Sequence, residues 1–196
     1  MYNGGRSKGV PNERSFQLAH PWHDVPTGEG APEEFNALIE IPKGSKVKYE
    51  LDKDTGLLKV DRILYSSVIY PANYGFIPRT LGDDDDPLDL LVVMQEAVQA
   101  LSIMRVRPIG MMHMVDEGQD DEKIICVHLD DPEYRDFDHY EQLPPHRMDE
   151  LQRFFQDYKV LEGKEVDVGH FDGPEEAIDA VRHAMELYDK QFARTG

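Results

Sequence analysis

The run Leu81-Gly82-Asp83-Asp84-Asp85-Asp86-Pro87-Leu88-Asp89-Leu90 places five carboxylates in seven residues, Asp83 to Asp89. Neighbouring carboxylates repel, so a folded chain keeps them in bulk water or gathers them around cations. Gly82 opens the run and Pro87 breaks it, just before the apolar stretch Leu88 to Met94. The acids therefore belong at the mouth of a strand, and in an extended segment Asp84 and Asp86 would point the same way. Counted from Asp83, Asp84 or Asp85, the sixth position is not Gly, which excludes a calcium EF-hand loop. Taken alone, the run reads equally as a solvated loop or as a metal site. A second cluster, Asp116-Glu117-Gly118-Gln119-Asp120-Asp121-Glu122-Lys123, joins two predicted strands and by itself reads as a polar turn. Two acidic clusters at strand ends of one small barrel can converge on several Mg²⁺ ions, which prefer hard oxygen ligands shared with phosphate oxygens.

Cations and hydroxyls lie elsewhere in the chain. Glu40 to Arg79 holds seven Lys/Arg against five Asp/Glu, whereas Asp83 to Asp138 holds sixteen Asp/Glu against four Lys/Arg. One stretch offers cations for an anion and the next offers carboxylates for metals, although solvated faces of unrelated elements would segregate charge as well. Tyr70 and Tyr74 stand four apart in the Pro/Gly-constrained stretch Tyr70 to Pro78, which shows little strand or helix periodicity. Their hydroxyls could bond phosphate oxygens or simply pack. Tyr158-Lys159 offers a further hydroxyl and ammonium at a helix end, where the dipole favours a Lys in any case.

The elements that position these groups are mostly strands. Ala37–Ile41, Lys46–Leu51 and Leu57–Leu64 come first, with Asp52 to Gly56 as a hairpin connection and Gly56 available for positive φ. Further strands are expected at 88–94, 103–109 and 123–129. Short strands without alternating helices predict a mainly β protein: a small, closed, five-stranded antiparallel barrel with two to three helices outside. The spacing of Met148, Leu151, Phe155 and Tyr158 predicts a helix over 146–160, started by Pro144-Pro145. A second apolar stripe, Ile178, Val181, Met185, Tyr188 and Phe192, predicts another, with Asp172 as its cap and Pro174 in its first turn. Residues 1–35, rich in Gly, Pro, Ser and Asn, read as an extended arm, and 36–196 as one catalytic domain. In the arm, His20-Pro21-Trp22-His23 is a patch whose aromatic could dock on the body.

Composition narrows the function classes. With 39 acidic and 21 basic residues, a net charge of -18 argues against nucleic acid and anionic lipid as partners. No apolar run approaches the about 20 residues of a membrane span, and no h-region opens the chain, so a soluble protein without a secretory signal is expected. The single cysteine, Cys126, excludes an internal disulfide and fits a buried thiol in a reducing, cytoplasmic setting.

Together these residues resemble the family I soluble inorganic pyrophosphatases, nearest to the plant-type and related bacterial branch. Asp84-Asp85-Asp86-Pro87-Leu88-Asp89-Leu90 matches that family's signature. The match continues through Glu40-Ile41-Pro42, Lys48-Tyr49-Glu50, Val60-Asp61-Arg62, Tyr70 to Gly75, Asp116-Glu117, Asp121-Glu122-Lys123 and Phe154 to Lys159. The resemblance implies Mg²⁺-dependent hydrolysis of diphosphate to two orthophosphates by a metal-activated water. It implies Asp84, Asp89, Asp116 and Asp121 as metal ligands, with Glu40 and Glu50 in the outer shell. Asp86 would accept a proton from the attacking water, and Tyr70 would join the catalytic network as a proton donor. Lys48, Arg62, Tyr74, Lys123, Tyr158 and Lys159 would hold the phosphates. A homo-oligomer is implied as well. The arm is longer than in compact bacterial members, and Gln95 to Ser102 lacks their Pro-Gly turn.

Overall fold

The computed structural model describes residues 19–192. Its strands are β1 (Phe35–Ile41), β2 (Val47–Leu51), β3 (Leu58–Ile63), β4 (Asn73–Phe76), β5 (Asp89–Val93), β6 (Ile103–Asp116), β7 (Gln119–Asp120), β8 (Lys123–His128) and β9 (Val166–Asp172). Two helices follow the main body of strands, α1 (Pro145–Asp157) and α2 (Pro174–Phe192). β1 pairs with β4, β4 with β5, β5 with β8, β8 with β6, and β6 returns to β1, so five strands form a ring.

The expectation of an antiparallel ring fails at one joint: β5 and β8 are parallel. The reason is topological. Going round a closed ring of five strands, direction cannot alternate at every step, because five is odd; at least one neighbouring pair must be parallel. A parallel pair needs a long crossover, and β6, with 14 residues, supplies much of it. β6 pairs with β1 near its start and with β8 and β9 further on. Its ladder to β8 slips between Pro108 and Gly110, at a residue without an N–H to donate.

Two further differences from the sequence reading concern single elements. The stretch 70–78 contains a full strand, β4, whose four residues are all buried. β9, absent from the sequence reading, pairs with the far half of β6. Gly75 explains why β4 hides its pattern: it lies so close to β1 that a Cβ there would collide with the Leu38 carbonyl.

Both faces of the ring strands are covered. On β5, Leu91 and Val93 pack with Leu151, Phe154 and Phe155 of α1, while Leu90 and Val92 pack with Ala177, Val181 and Ala184 of α2. β8 divides in the same way, Ile125 and Val127 on one side, Ile124 and Cys126 on the other. Double-sided burial is why these strands read as continuous apolar runs. Each such side chain contributes about 1.5–3 kcal/mol of burial. α2 is turned slightly from the predicted stripe: Ala177, Val181, Ala184 and Tyr188 are buried, Ile178 and Met185 are half-buried, and Phe192, 39% exposed, lies against Trp22 and Tyr188. Alanines at the contact let the helix sit close to the sheet. Gly173, not Asp172, directly precedes α2; Asp172 ends β9 and bonds His113.

Of the predicted arm, residues 1–18 lie outside the described residues. Trp22 is buried and donates its indole N–H to the Thr80 carbonyl at 2.8 Å, so the aromatic patch docks on the body. His23 pairs with the Tyr188 hydroxyl at 2.7 Å as a packing histidine. Gln95 to Ser102 is held by Asn73, which donates to the Glu96 carbonyl and accepts from the Val98 amide. Cys126 is a buried free thiol whose pKa burial pushes up.

Candidate active site

The acidic run folds as a tight turn, not the extended segment expected from its sequence. Gly82 N–H donates to the Asp86 carbonyl at 2.7 Å, Asp85 adopts φ +65°, and Asp84 accepts from the Asp86 N–H. Lys53, at the β2–β3 turn, pairs with the Asp86 carboxylate and donates to the Asp85 carbonyl at 3.0 Å. Burial, with Asp86 and Asp89 nearby, raises the pKa of Asp84.

The parallel pair sets the next group. Because β5 and β8 run the same way, with Leu90 opposite Ile124, their first residues lie side by side. Asp89 thereby meets Lys123, whose Nζ is 2.5 Å from it and also bonds Asp121. The Tyr74 hydroxyl donates to Asp89. Burial opposes the Lys123 ammonium, but the Asp89 and Asp121 carboxylates outweigh it and hold its pKa up. Asp121 is itself raised, chiefly by burial.

A third group comes from β1 and the β2–β3 hairpin. Glu40 is 7% exposed and accepts from the Leu51 N–H at 2.7 Å. Burial, reinforced by Asp89, raises its pKa to about 8. Lys48 lies 2.5 Å from Glu50 and 3.2 Å from Asp61, and these pairs overcome burial to raise its pKa. Opposite Lys48 in the hairpin register stands Arg62, whose Nη1 meets Asp61 at 2.5 Å and whose Nε meets Glu162 at 2.8 Å. Arg62 Nη2 is buried without a hydrogen-bond partner among the described residues. Tyr70 is buried against Tyr74 and Phe154, and desolvation raises its pKa well above the ordinary tyrosine value.

The last group closes the far side. Asp116 ends β6; Tyr158 donates to its Oδ2 at 3.2 Å, and the Lys159 ammonium pairs with the same oxygen. Asp116 Oδ1 is buried without a partner among the described residues. The helix α1 stops at Asp157, so Tyr158 and Lys159 sit where the chain leaves it. Burial and then Asp116 raise the Tyr158 pKa, and Phe154, lying against both Tyr158 and Tyr70, ties this group to the third.

A cavity of about 550 Å³ takes in Glu40, Lys48, Glu50, Tyr74, Asp84, Asp86 and Asp89. Lys123 and Asp121 join it through Asp89, and Arg62 and Tyr70 border it through the hairpin and the Tyr74 ring. Seven of the fourteen candidate residues thus line this cavity, and the other seven connect to it through these contacts, from six separate stretches of chain. Three participants carry no role in the sequence reading. Lys53 is hidden in a turn motif, Asp61 stands beside Arg62 in the quoted match, and Glu162 leaves no sequence signal at all.

Solved structures of similar shape include inorganic pyrophosphatases. The crystal structure of inorganic pyrophosphatase from Thermus thermophilus superposes with a TM-score of 0.84 at 37% identity, covering 87% of this chain and 99% of that one. An inorganic pyrophosphatase from Helicobacter pylori gives 0.80 at 42% identity, covering 84% and 98%. Residues 37–189 match the inorganic pyrophosphatase family. Soluble inorganic pyrophosphatase 1 of Arabidopsis thaliana is 57% identical over 182 residues, 93% of this chain and 86% of that protein. The chain belongs to the family I soluble inorganic pyrophosphatases.

Proposed function

We propose that this chain is an Mg²⁺-dependent inorganic diphosphatase that splits diphosphate into two orthophosphates on an OB-like barrel. The carrying observation is a pair of buried, unpartnered groups of opposite kind, the Asp116 Oδ1 acceptor and the Arg62 Nη2 donor. Each costs about 1–3 kcal/mol when left unsatisfied, and a cation with its phosphate anion would satisfy both. The donor set fits a hard divalent ion: Asp84, Asp89, Asp116 and Asp121 offer carboxylate oxygens, and ammonium groups already rest on three of them. The raised pKa values of Asp84 and Asp121 mark the repulsion and desolvation that a bound dication would relieve.

Asp84, Asp89, Asp116 and Asp121 would hold the metal, with Glu40 and Glu50 behind them. When bound, the divalent cation neutralises phosphate oxygens and lowers the pKa of water. Asp86 orients the attacking water and takes its proton; its carboxylate is half exposed, and Lys53 holds it in place. The water oxygen forms a bond to phosphorus, the bridging P–O bond breaks, and its electron pair leaves with the departing phosphate. Lys48, Arg62, Lys123 and Lys159 balance the charge that gathers on both phosphates. Tyr70, Tyr74 and Tyr158, kept protonated by burial, act as hydrogen-bond donors.

The same reading takes 1–35 as an arm on a catalytic body of 36–196, in a homo-oligomer of the cytoplasm. No helix among the described residues is long and apolar enough to cross a membrane. Phosphate release from diphosphate, with and without excess chelator, tests the proposal beside Asp86→Asn. We expect chelator to abolish turnover and the variant to lose ~10²–10⁴-fold in kcat. Metal-independent turnover refutes the mechanism, and an unchanged kcat in the variant refutes the role of Asp86.

A further inference from the structure

Outside the acidic cavity, three side chains come together on the β6–β9 surface. We propose that His113, His170 and Asp172 form a second metal site, selective for a borderline transition ion such as Zn²⁺. The proposal is independent of the diphosphatase reading.

Strand pairing creates the cluster. On the β6–β9 ladder Met111 stands opposite Asp172 and Met112 opposite Phe171, so His113 comes next to His170 and on the face of Asp172, just before the ladder slips. Gly169, next to His170, leaves the surface clear: a Cβ there would come within 3.3 Å of the His113 carbonyl oxygen. His113 Nε2 lies 2.7 Å from Asp172 Oδ2, and His170 Nε2 lies 3.4 Å from Asp172 Oδ1. The two imidazoles stack with centroids 4.5 Å apart. One ligand atom from each residue falls within 4.8 Å of the other two. Ligands about 2.0–2.1 Å from a tetrahedral zinc stand about 3.3 Å apart, so small side-chain rotations close the set. Solvent reaches it, since His113 and Asp172 are about one-third exposed and His170 more so; a water can take the fourth position.

Donor chemistry separates this site from the carboxylate cavity. Two imidazoles with one carboxylate suit zinc, whereas all-oxygen sets suit magnesium. A supporting group is also in place: His113 Nδ1, the nitrogen left over when Nε2 binds metal, faces Glu122 Oε1 at 3.5 Å. Carboxylates behind metal-bound histidines fix the ring's tautomer and raise its basicity.

The test is equilibrium dialysis of the full chain against Zn²⁺ in excess Mg²⁺, with Co²⁺ absorption as a second readout. Zinc can also enter the acidic cavity, so Asp84→Asn and His170→Gln are compared with the parent. His170 is exposed, and its replacement should leave the fold intact. We expect one zinc per chain to vanish in His170→Gln and in His113→Gln, to persist in Asp84→Asn, and to weaken ~10-fold in Glu122→Gln. The tetrahedral Co²⁺ band should follow the same order. Equal zinc binding in parent and both histidine variants overturns the proposal, as does zinc lost in Asp84→Asn alone.

Discussion

Glu40→Gln should stabilise the cation-free protein, and increasingly so as pH rises. In the unfolded chain this carboxyl ionises near 4.5; in the folded protein, burial and the neighbouring Asp89 raise its pKa to about 8. Between those values the unfolded state releases a proton that the folded state keeps, so each pH unit costs the folded state about 1.4 kcal/mol. The accumulated cost is below about 1 kcal/mol at pH 5, about 3 at pH 7, and levels at about 4–5 above pH 8. Glutamine keeps the shape, and its oxygen can still accept from the Leu51 N–H, but it carries no charge at any pH. Urea unfolding of both proteins with chelator at pH 5, 7 and 9 should show near-equal stability at the lowest pH. The gap should then widen in favour of the variant. A difference that does not change with pH, or a variant less stable at pH 9, would refute a buried, proton-holding Glu40.

Asp121→Asn should leave Lys123 to Asp89 alone and raise the magnesium needed for half-maximal phosphate release at least about tenfold; an unchanged magnesium titration would remove Asp121 from the metal set. Trp22→Ala should cost about 3–5 kcal/mol in urea unfolding, because the ring is buried and also loses its bond to Thr80. A change under about 1 kcal/mol would mean that residues 19–34 are not part of the cooperative unit. Gly75→Ala should prevent native folding, seen as loss of the cooperative transition, since its Cβ would collide with the β1 backbone; native stability would contradict the close approach of β1 and β4.

Local pattern alone was enough for several elements. The strands around Leu38, Tyr49 and Leu91 and the helix carrying Leu151 follow from apolar spacing, because each must bury a face whatever its neighbours are. The acidic run and the lysine-rich hairpin announced complementary charge, and the ordered motifs around them resembled one family closely enough to name most residues of the candidate site, though they gave no role to Lys53, Asp61 or Glu162. Other features leave no local trace. The β4 strand was hidden because its pattern depends on Gly75 lying against another strand, and β9 because its partner is the far end of a strand longer than expected. The turn at Asp84–Asp86 depends on a bond across it from Gly82 and on Lys53, which comes from a separate hairpin.

Side-chain type and short-range spacing thus settle which chemical groups are present and which clearly periodic segments become strand or helix. Tertiary structure alone decided which groups meet. Closing five strands requires a parallel step; here that step is β5–β8, which sets Asp89 beside Lys123, 34 residues apart in the chain. The antiparallel pairing of β6 with β9 likewise joins His113 to Asp172 across 59 residues. Distances of that kind are set by how the ring closes, and no window along the chain contains them.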